Sequence, residues 1–216
     1  MFLGHDAVAF ASKRFAPETS LGTLLAAVTF LDLLWPVFLV TGVEHVRIDP
    51  GNTPWTPLDF YDYPISHSLL TAVGWSLLFG GVYYGVRRYR AGALLVGFGV
   101  LSHWILDWFT HRADLPLYPG GPLAGLGLWY SRPATLTIES LMFAAALAIY
   151  LRCTATRDRT GTIALVSLIA LLCIVYLSSA FGPPPPSAKA VAWGAMSGWL
   201  IPLWGYWIDR HRKART

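Results

Sequence analysis

The chain has 216 residues, of which 55% are apolar and only 13% are charged, and its formal net charge is +4. A soluble domain carries about 25% charged residues, so this composition excludes an ordinary soluble protein. Apolar runs of about 20 residues recur and do not alternate in polarity, which indicates membrane-spanning helices and excludes a transmembrane β-barrel. The positive charge comes mainly from clusters at the ends of these runs, so no nucleic-acid partner is expected.

The first 16 residues contain an apolar stretch that is too short to cross a membrane. Lys13 and Arg14 follow this stretch, whereas the basic residues of a signal peptide precede its apolar segment. We therefore expect residues 2–14 to form a short helix that dips into the membrane from the cytoplasmic side. Thr19 or Ser20 is then suited to cap the next helix.

The rest of the chain predicts about six transmembrane helices within a single integral membrane domain, residues 1–216. The fold class is thus all-α and polytopic, with the short N-terminal helix in addition. The predicted spans are 20–43, 66–87, 91–111, 133–152, 161–181 and 189–208. Residues 20–152 hold the polar candidates, residues 161–208 form two apolar scaffold helices, and residues 209–216 form a basic cytoplasmic tail.

The basic residues test this arrangement. Twelve of the 16 Lys and Arg residues fall on one side if the six spans alternate in direction. They are Lys13, Arg14, Arg87, Arg88, Arg90, Arg152, Arg157, Arg159, Arg210, Arg212, Lys213 and Arg215. The positive-inside rule makes this side cytoplasmic, so both termini are predicted to be cytoplasmic. Residues 44–65 and 112–132 become outer loops, and Pro183 to Pro186 form a stiff spacer.

The segment LSHWILDWFTHR, residues 101–112, combines an apolar helix with ionisable side chains. His103, Asp107 and His111 are spaced at i, i+4 and i+8, which places them on one stripe of one helix face. A charged side chain in the middle of a membrane costs at least about 2.5 kcal/mol, so these residues should face polar partners.

Other ionisable residues reach similar depths in neighbouring helices. At 1.5 Å per residue, Asp32 lies about 18 Å, and His103 and Glu139 about 20 Å, from the cytoplasmic end of their helices. His67 falls near the outer edge of the apolar core, and His5 would reach about 12 Å if residues 5–13 are helical. These residues are therefore expected to face one another.

Imidazole and carboxylate groups together are ligands typical of zinc, manganese or iron. The sequence thus predicts a divalent metal site, most simply a zinc site, with an unknown number of ions. Its predicted ligands are His5, Asp32, His67, His103, Asp107 and His111. The alternative for each residue is a hydrogen bond between helices, or, for His67 and His111, a place at the water interface.

The segments GHDAVAFA (4–11), YPISHSLL (63–70) and SHWILDWFTH (102–111), read together, resemble a family of bacterial inner-membrane metal-dependent hydrolases. That family includes a hydrolase under LexA control in enteric bacteria and is distantly similar to zinc-dependent phospholipase C and P1 nuclease. The resemblance covers most of the chain through residue 140. It implies roles for His5, Asp32, His67, His103 and Asp107 in a metal site.

The leading hypothesis is a hydrolase of the bacterial inner membrane that acts on a phosphoester or lipid-linked substrate in the outer half of the bilayer. Glu139 or Asp62 is then a candidate general base or ligand of a second ion. Arg112 and Arg132 flank an outer loop and are candidates to bind a phosphate, or else are interfacial side chains.

Two other classes of protein fit the same residues. An ion or proton transporter would use them as a relay, but should show inverted repeats and broken helices in both halves. A structural membrane protein would use them only as hydrogen-bonding contacts between helices.

Overall fold

A computed structural model describes residues 1–215, and these are mainly helical, which confirms the predicted all-α membrane class. The helices are α1 (Leu3–Ser12), α2 (Leu21–Val28), α3 (Phe30–Thr41), α4 (Pro64–His67), α5 (Leu69–Arg87), α6 (Arg90–Thr110), α7 (Arg132–Cys153), α8 (Arg159–Phe181), α9 (Ala188–Ala195) and α10 (Leu200–His211). The strands are β1 (His45–Ile48), β2 (Leu58–Asp62), β3 (Leu115–Pro116), β4 (Leu123–Ala124), β5 (Thr154–Thr156) and β6 (Arg212–Ala214).

Four helices are long and apolar enough to cross a membrane: α5, α6, α7 and α8. The pair formed by α2 and α3 supplies a fifth crossing if it is counted as one bent span. The predicted sixth span, 189–208, is an interrupted segment in which a 3-10 helix, Met196–Trp199, separates α9 from α10. By length and composition, the described residues therefore give four or five membrane spans. The predicted number is six because it counts the interrupted segment 189–208 as one span.

The predicted first span, 20–43, is broken at Thr29, and α2 and α3 meet there at an angle of 57°. Ser20 caps α2 by accepting a hydrogen bond from the Thr23 amide, as its position in the sequence predicts. At the break, the Thr29 hydroxyl donates to the Leu25 carbonyl at 2.7 Å, a bond that competes with regular helix geometry. Asp32 is therefore in the first turn of a separate helix, α3, rather than in the middle of one continuous span.

Helix α1 lies inside the bundle, where it packs against α2, α6 and α7. Phe10 makes edge-on ring contacts with Phe143 and Tyr150, and all three side chains are buried. The short N-terminal helix is therefore present, but it is enclosed by the spans. This position brings its first turn close to the middle of α6 and α7.

Small residues allow two pairs of helices to approach closely. A Cβ atom at Gly205 of α10 would lie only 2.7 Å from the Cα atom of Gly22 in α2, so this crossing requires glycine. Between α5 and α6, the Ser76 hydroxyl donates to the Gly97 carbonyl at 2.7 Å. Such contacts replace the hydrophobic effect as a source of helix association in lipid.

The connections between helices form short hairpins that the sequence pattern did not predict. Strands β1 and β2 pair antiparallel in the loop between α3 and α4, and β3 pairs with β4 in the loop between α6 and α7. At the opposite end, the predicted tail folds back, because α10 continues to His211 and β6 pairs with β5. We call this end, which carries the ends of α1, α7 and α10, the basic end.

Candidate functional site

Five ionisable side chains from four helices converge between α1, α3, α4 and α6. The residues of this histidine–aspartate cluster are His5, Asp32, His67, His103 and Asp107. The nitrogen and oxygen atoms of His5, His103 and Asp107 lie within 4.8 Å of one another, and the same is true of Asp32, His67 and His103. His103 belongs to both sets, so the two sets form one continuous group.

Asp107 is the centre of one half of the cluster. Its Oδ1 atom lies 3.0 Å from His5 Nε2, and its Oδ2 atom lies 3.1 Å from His103 Nε2. The Met1 amino group also contacts Asp107. The imidazole rings of His5 and His103 stack with their centroids 3.7 Å apart and their planes nearly parallel.

Asp32 is the acidic residue of the other half. Its Oδ1 atom lies 3.5 Å from His67 Nε2 and 3.7 Å from His103 Nε2. His67 Nε2 is also 3.9 Å from Asp107 Oδ2, which links the two carboxylates through the imidazoles. Asp32 differs from the other four residues because 48% of its side chain is exposed, whereas theirs are 0–5% exposed.

His67 is oriented by a chain of buried hydrogen bonds that begins at Glu44. The Ser66 hydroxyl donates to Glu44 Oε2 at 2.6 Å, so its oxygen accepts the hydrogen bond from His67 Nδ1 at 2.7 Å. Glu44 Oε1 accepts from the amides of Ile65 and Ser66, both at 2.7 Å. This network places the proton of neutral His67 on Nδ1 and leaves the Nε2 lone pair facing the cluster.

His103 is oriented by the break between α2 and α3. Its Nδ1 atom donates to the carbonyl of Val28, the last residue of α2, at 2.7 Å. The last carbonyls of a helix lack partners within the helix, and a break in a span creates such a carbonyl in the interior. His103 Nε2 therefore also faces the cluster with its lone pair available.

His111 lies at the edge of the cluster, with Nε2 at 4.0 Å from Asp107 Oδ2, and belongs to neither close set. Its Nδ1 atom donates to Asp114 at 3.0 Å, and the Tyr63 hydroxyl donates to the same carboxylate oxygen at 3.2 Å. Burial and the neighbouring Asp114 carboxylate raise the pKa of Tyr63 well above its ordinary value. Tyr63 therefore remains a hydrogen-bond donor.

Glu139 is buried beside the first turn of α1. Its Oε2 atom accepts hydrogen bonds from the amides of Phe2 at 2.8 Å and Gly4 at 3.3 Å. Its Oε1 atom has no hydrogen-bond partner among residues 1–215. The carboxylate thus anchors α1 at its N-terminal end, where a negative charge is favourable.

Three predicted residues lie outside the cluster. Asp62 is on the β1–β2 hairpin, where it pairs with His45 at 2.7 Å. Arg112 pairs with Asp114 and with the buried Asp59, and Arg132 donates to the Pro54 carbonyl. The structure does not bring Asp62 to the histidines of the cluster, and both arginines already have partners.

Sequence reasoning missed the residues that orient the imidazoles, namely Glu44, Ser66, Tyr63 and Asp114. Ser66 had a weak indication in the sequence, because this residue directly precedes His67 in the segment YPISHSLL. Glu44 had none, since it lies 22 positions from Ser66 and meets it only after the chain turns through the β1–β2 hairpin.

The donor set is three imidazoles and two carboxylates, which matches the first-row divalent cations. Histidines whose second nitrogen is fixed by a carboxylate, hydroxyl or carbonyl are typical of metal sites. The chemistry of these donors is thus compatible with a divalent cation. The arrangement can equally hold the side chains together by ion pairing alone.

The family model described as YdjM inner membrane protein matches residues 64–182, which is more than half of the chain. The matched region includes His67, His103, Asp107, His111 and Glu139, and it excludes His5 and Asp32. No curated protein and no solved structure matches the chain. The chain therefore belongs to the YdjM family of inner membrane proteins.

Proposed function

We propose that this protein is a membrane-embedded, metal-dependent hydrolase of a phosphoester. The observation that carries the proposal is the convergence of five donor side chains from four helices, with two imidazoles held so that Nε2 faces the cluster. Two separate hydrogen bonds fix these orientations, because His67 Nδ1 donates to the Ser66 hydroxyl oxygen and His103 Nδ1 donates to the Val28 carbonyl. Such second-sphere contacts are characteristic of metal-binding histidines.

His67, His103, Asp107 and Asp32 would hold the ion, with His5 as a further ligand from α1. The fit is chemically reasonable, because His103 Nε2 and His5 Nδ1 are buried and have no hydrogen-bond partner of good geometry among residues 1–215. Two carboxylates would also balance the charge of one divalent cation. Zinc suits this set best, and manganese and iron are the alternatives.

A bound divalent cation would polarise a phosphoryl oxygen and lower the pKa of water at the site. The protein would contribute position and orientation. His111, whose Nδ1 donates to Asp114, presents the lone pair of Nε2 beside Asp107, where it could accept a hydrogen bond from the attacking water. Hydrolysis would add water to phosphorus, break a P–O ester bond and pass the proton from water to the departing alcohol.

The test is the metal content of the purified protein, measured together with hydrolysis of phosphoester substrates. His103→Ala and Asp107→Asn should each lose bound metal and hydrolysis while the protein still inserts and folds. Asp62→Asn is the matched control, because Asp62 is a carboxylate outside the cluster, and this variant should retain both. Wild-type protein without stoichiometric metal, or an Asp107→Asn variant as active as wild type, would contradict the proposal.

A cation transporter is the second candidate, since two segments of the bundle are interrupted as in many transporters. They are the α2–α3 pair and the α9–α10 segment, and they pack against each other. The hydrolase ranks first because α9 and α10 contribute no donor to either close set of the cluster. Two results together would favour the transporter. Wild-type protein in proteoliposomes would take up metal but hydrolyse no phosphoester, and Asp32→Asn would abolish the uptake.

A further inference from the structure

In the part of the chain that the structure describes, residues 1–215, Asp32 is the one half-exposed member of the cluster. The Asp32 side chain is 48% exposed, whereas those of His5, His67, His103 and Asp107 are 0–5% exposed. A ligand that reaches the cluster must therefore pass Asp32. Asp32 is in the first turn of α3, so the opening at this residue lies within the bent span formed by α2 and α3.

The side of the cluster toward the β1–β2 hairpin is covered by aromatic rings. Phe60 of β2 packs against Trp35 at 5.4 Å, Tyr63 at 5.6 Å and His111 at 5.1 Å between ring centroids. Trp129, from the loop after α6, packs against His111 at 4.1 Å and lies 6.2 Å from Phe60, again between ring centroids. We call Trp35, Phe60, Tyr63 and Trp129 the aromatic roof.

The roof separates the cluster from the polar part of the hairpin. Above it, the buried Asp59 pairs with Arg47 and Arg112. A water-soluble ester arriving from this side would have to displace these ion pairs and the aromatic rings. A ligand that enters at Asp32 would displace neither these ion pairs nor the aromatic rings.

A half-exposed carboxylate within a membrane span is costly, because lipid does not solvate its charge. Buried partners on one side and a polar group arriving from the membrane on the other would offset this cost. An amphiphile satisfies both demands, because its phosphate can enter past Asp32 while its acyl chains remain among the exposed apolar side chains of the bundle.

We propose that the substrate is a phospholipid of the surrounding membrane, which enters the site sideways past Asp32. This inference rests on the proposed hydrolase function and narrows its substrate from phosphoesters in general to membrane-resident ones. The bond broken is a P–O ester bond, so one product remains in the bilayer.

The direction of the opening can be measured without any hydrolysis. With Cys153 and Cys173 changed to Ala, a spin label at Asp32→Cys is compared with labels at Leu77→Cys and Tyr61→Cys. Leu77 on α5 is 72% exposed and Tyr61 on the hairpin is 56% exposed, so they serve as membrane and water references. We expect the label at position 32 to collide with oxygen, as at position 77. Preferential collision with a water-soluble nickel chelate, as at position 61, would overturn lateral entry.

The substrate class is tested with metal-loaded protein in nanodiscs. We expect at least a tenfold higher kcat/KM for a labelled phospholipid in the bilayer than for bis-(p-nitrophenyl) phosphate in water. Phe60→Ala should raise hydrolysis of the soluble ester and leave metal content unchanged. Equal or faster hydrolysis of the soluble ester by wild type would overturn the lipid substrate but not the hydrolase. Hydrolysis of neither ester by the loaded protein would overturn both proposals.

Discussion

The Nδ1 atom of His67 lies 2.7 Å from the hydroxyl oxygen of Ser66, whose own proton is already donated to Glu44. Ser66 can therefore only accept from this imidazole, and His67 must present Nε2 to the cluster. A hydroxyl that is polarised by a buried carboxylate fixes both the tautomer and the ring angle of its neighbour.

Removing this contact should weaken metal binding without unfolding the protein. We expect Ser66→Ala and Glu44→Gln to lower zinc affinity by about 10- to 100-fold, the usual effect of losing such a contact. Competition with a zinc-binding dye measures the affinity. Ser102→Ala is the control, because this buried hydroxyl donates only to the Gly99 carbonyl of its own helix. Unchanged affinity in Ser66→Ala would show that the contact does not position a ligand.

Tyr63 should show an unusual alkaline titration. Its pKa is raised by burial and by Asp114, so the folded state favours the protonated phenol. Stability from this difference is present below the unfolded pKa of about 10 and is lost as the pH rises above it. In the folded protein Tyr63 should therefore not ionise in the ordinary range of tyrosine, at about pH 10, so absorbance near 295 nm should give the same titration there for wild type and Tyr63→Phe.

The crossing of α2 and α10 should be sensitive to one methyl group. Gly205→Ala would place a Cβ atom 2.7 Å from Gly22 Cα, so the helices must separate. We expect a loss of about 1–3 kcal/mol, as for other overpacked contacts, seen as a lower midpoint of thermal unfolding in detergent. Gly194→Ala is the matched control, since its new Cβ atom would meet no atom within 4 Å. Equal midpoints for the two variants would contradict the close crossing.

The orientation of the chain remains a prediction from its basic residues. Contacts such as Lys13 with Asp209, at 3.4 Å, place the ends of α1 and α10 together at the basic end. Reporter fusions after Pro54 and Gly120 should therefore be periplasmic, and fusions after Arg88 and Arg215 cytoplasmic. A cytoplasmic reporter at Gly120 would reverse the assignment of the two faces.

The helices and the convergence of the cluster could be predicted from sequence because both depend on local patterns. Apolar runs place the helices, and the i, i+4 spacing puts His103 and Asp107 on one face. The break at Thr29 could not be predicted, since LGTLLAAVTFLDLLWP reads as one apolar helix. The carbonyl that orients His103 comes from that break, so this orientation was beyond the reach of the sequence.

The same distinction applies to the residues around the cluster. The sequence offered Asp62, like Glu139, as a candidate general base or ligand of a second ion. The antiparallel pairing of β1 and β2 instead places Asp62 opposite His45, with which it pairs, while Phe60 packs against His111. The pairing of a short strand in a loop thus determines that Phe60, and not Asp62, lies beside the cluster. Such strands have weak sequence signals.

Glu139 has two alternative roles, general base or anchor of α1, and substitutions of this residue distinguish them. The structure gives its Oε2 atom two backbone partners, the amides of Phe2 and Gly4, and these bonds hold His5 near Asp107. Glu139→Gln retains a carbonyl oxygen that can accept the same hydrogen bonds, whereas Glu139→Ala does not. An anchoring role therefore predicts that Gln largely preserves zinc affinity and hydrolysis, and that Ala lowers both. A general base predicts a different pattern, in which Gln abolishes hydrolysis while zinc affinity stays normal. Measuring affinity and kcat for the two variants in parallel separates these roles, and we expect the pattern of the anchor.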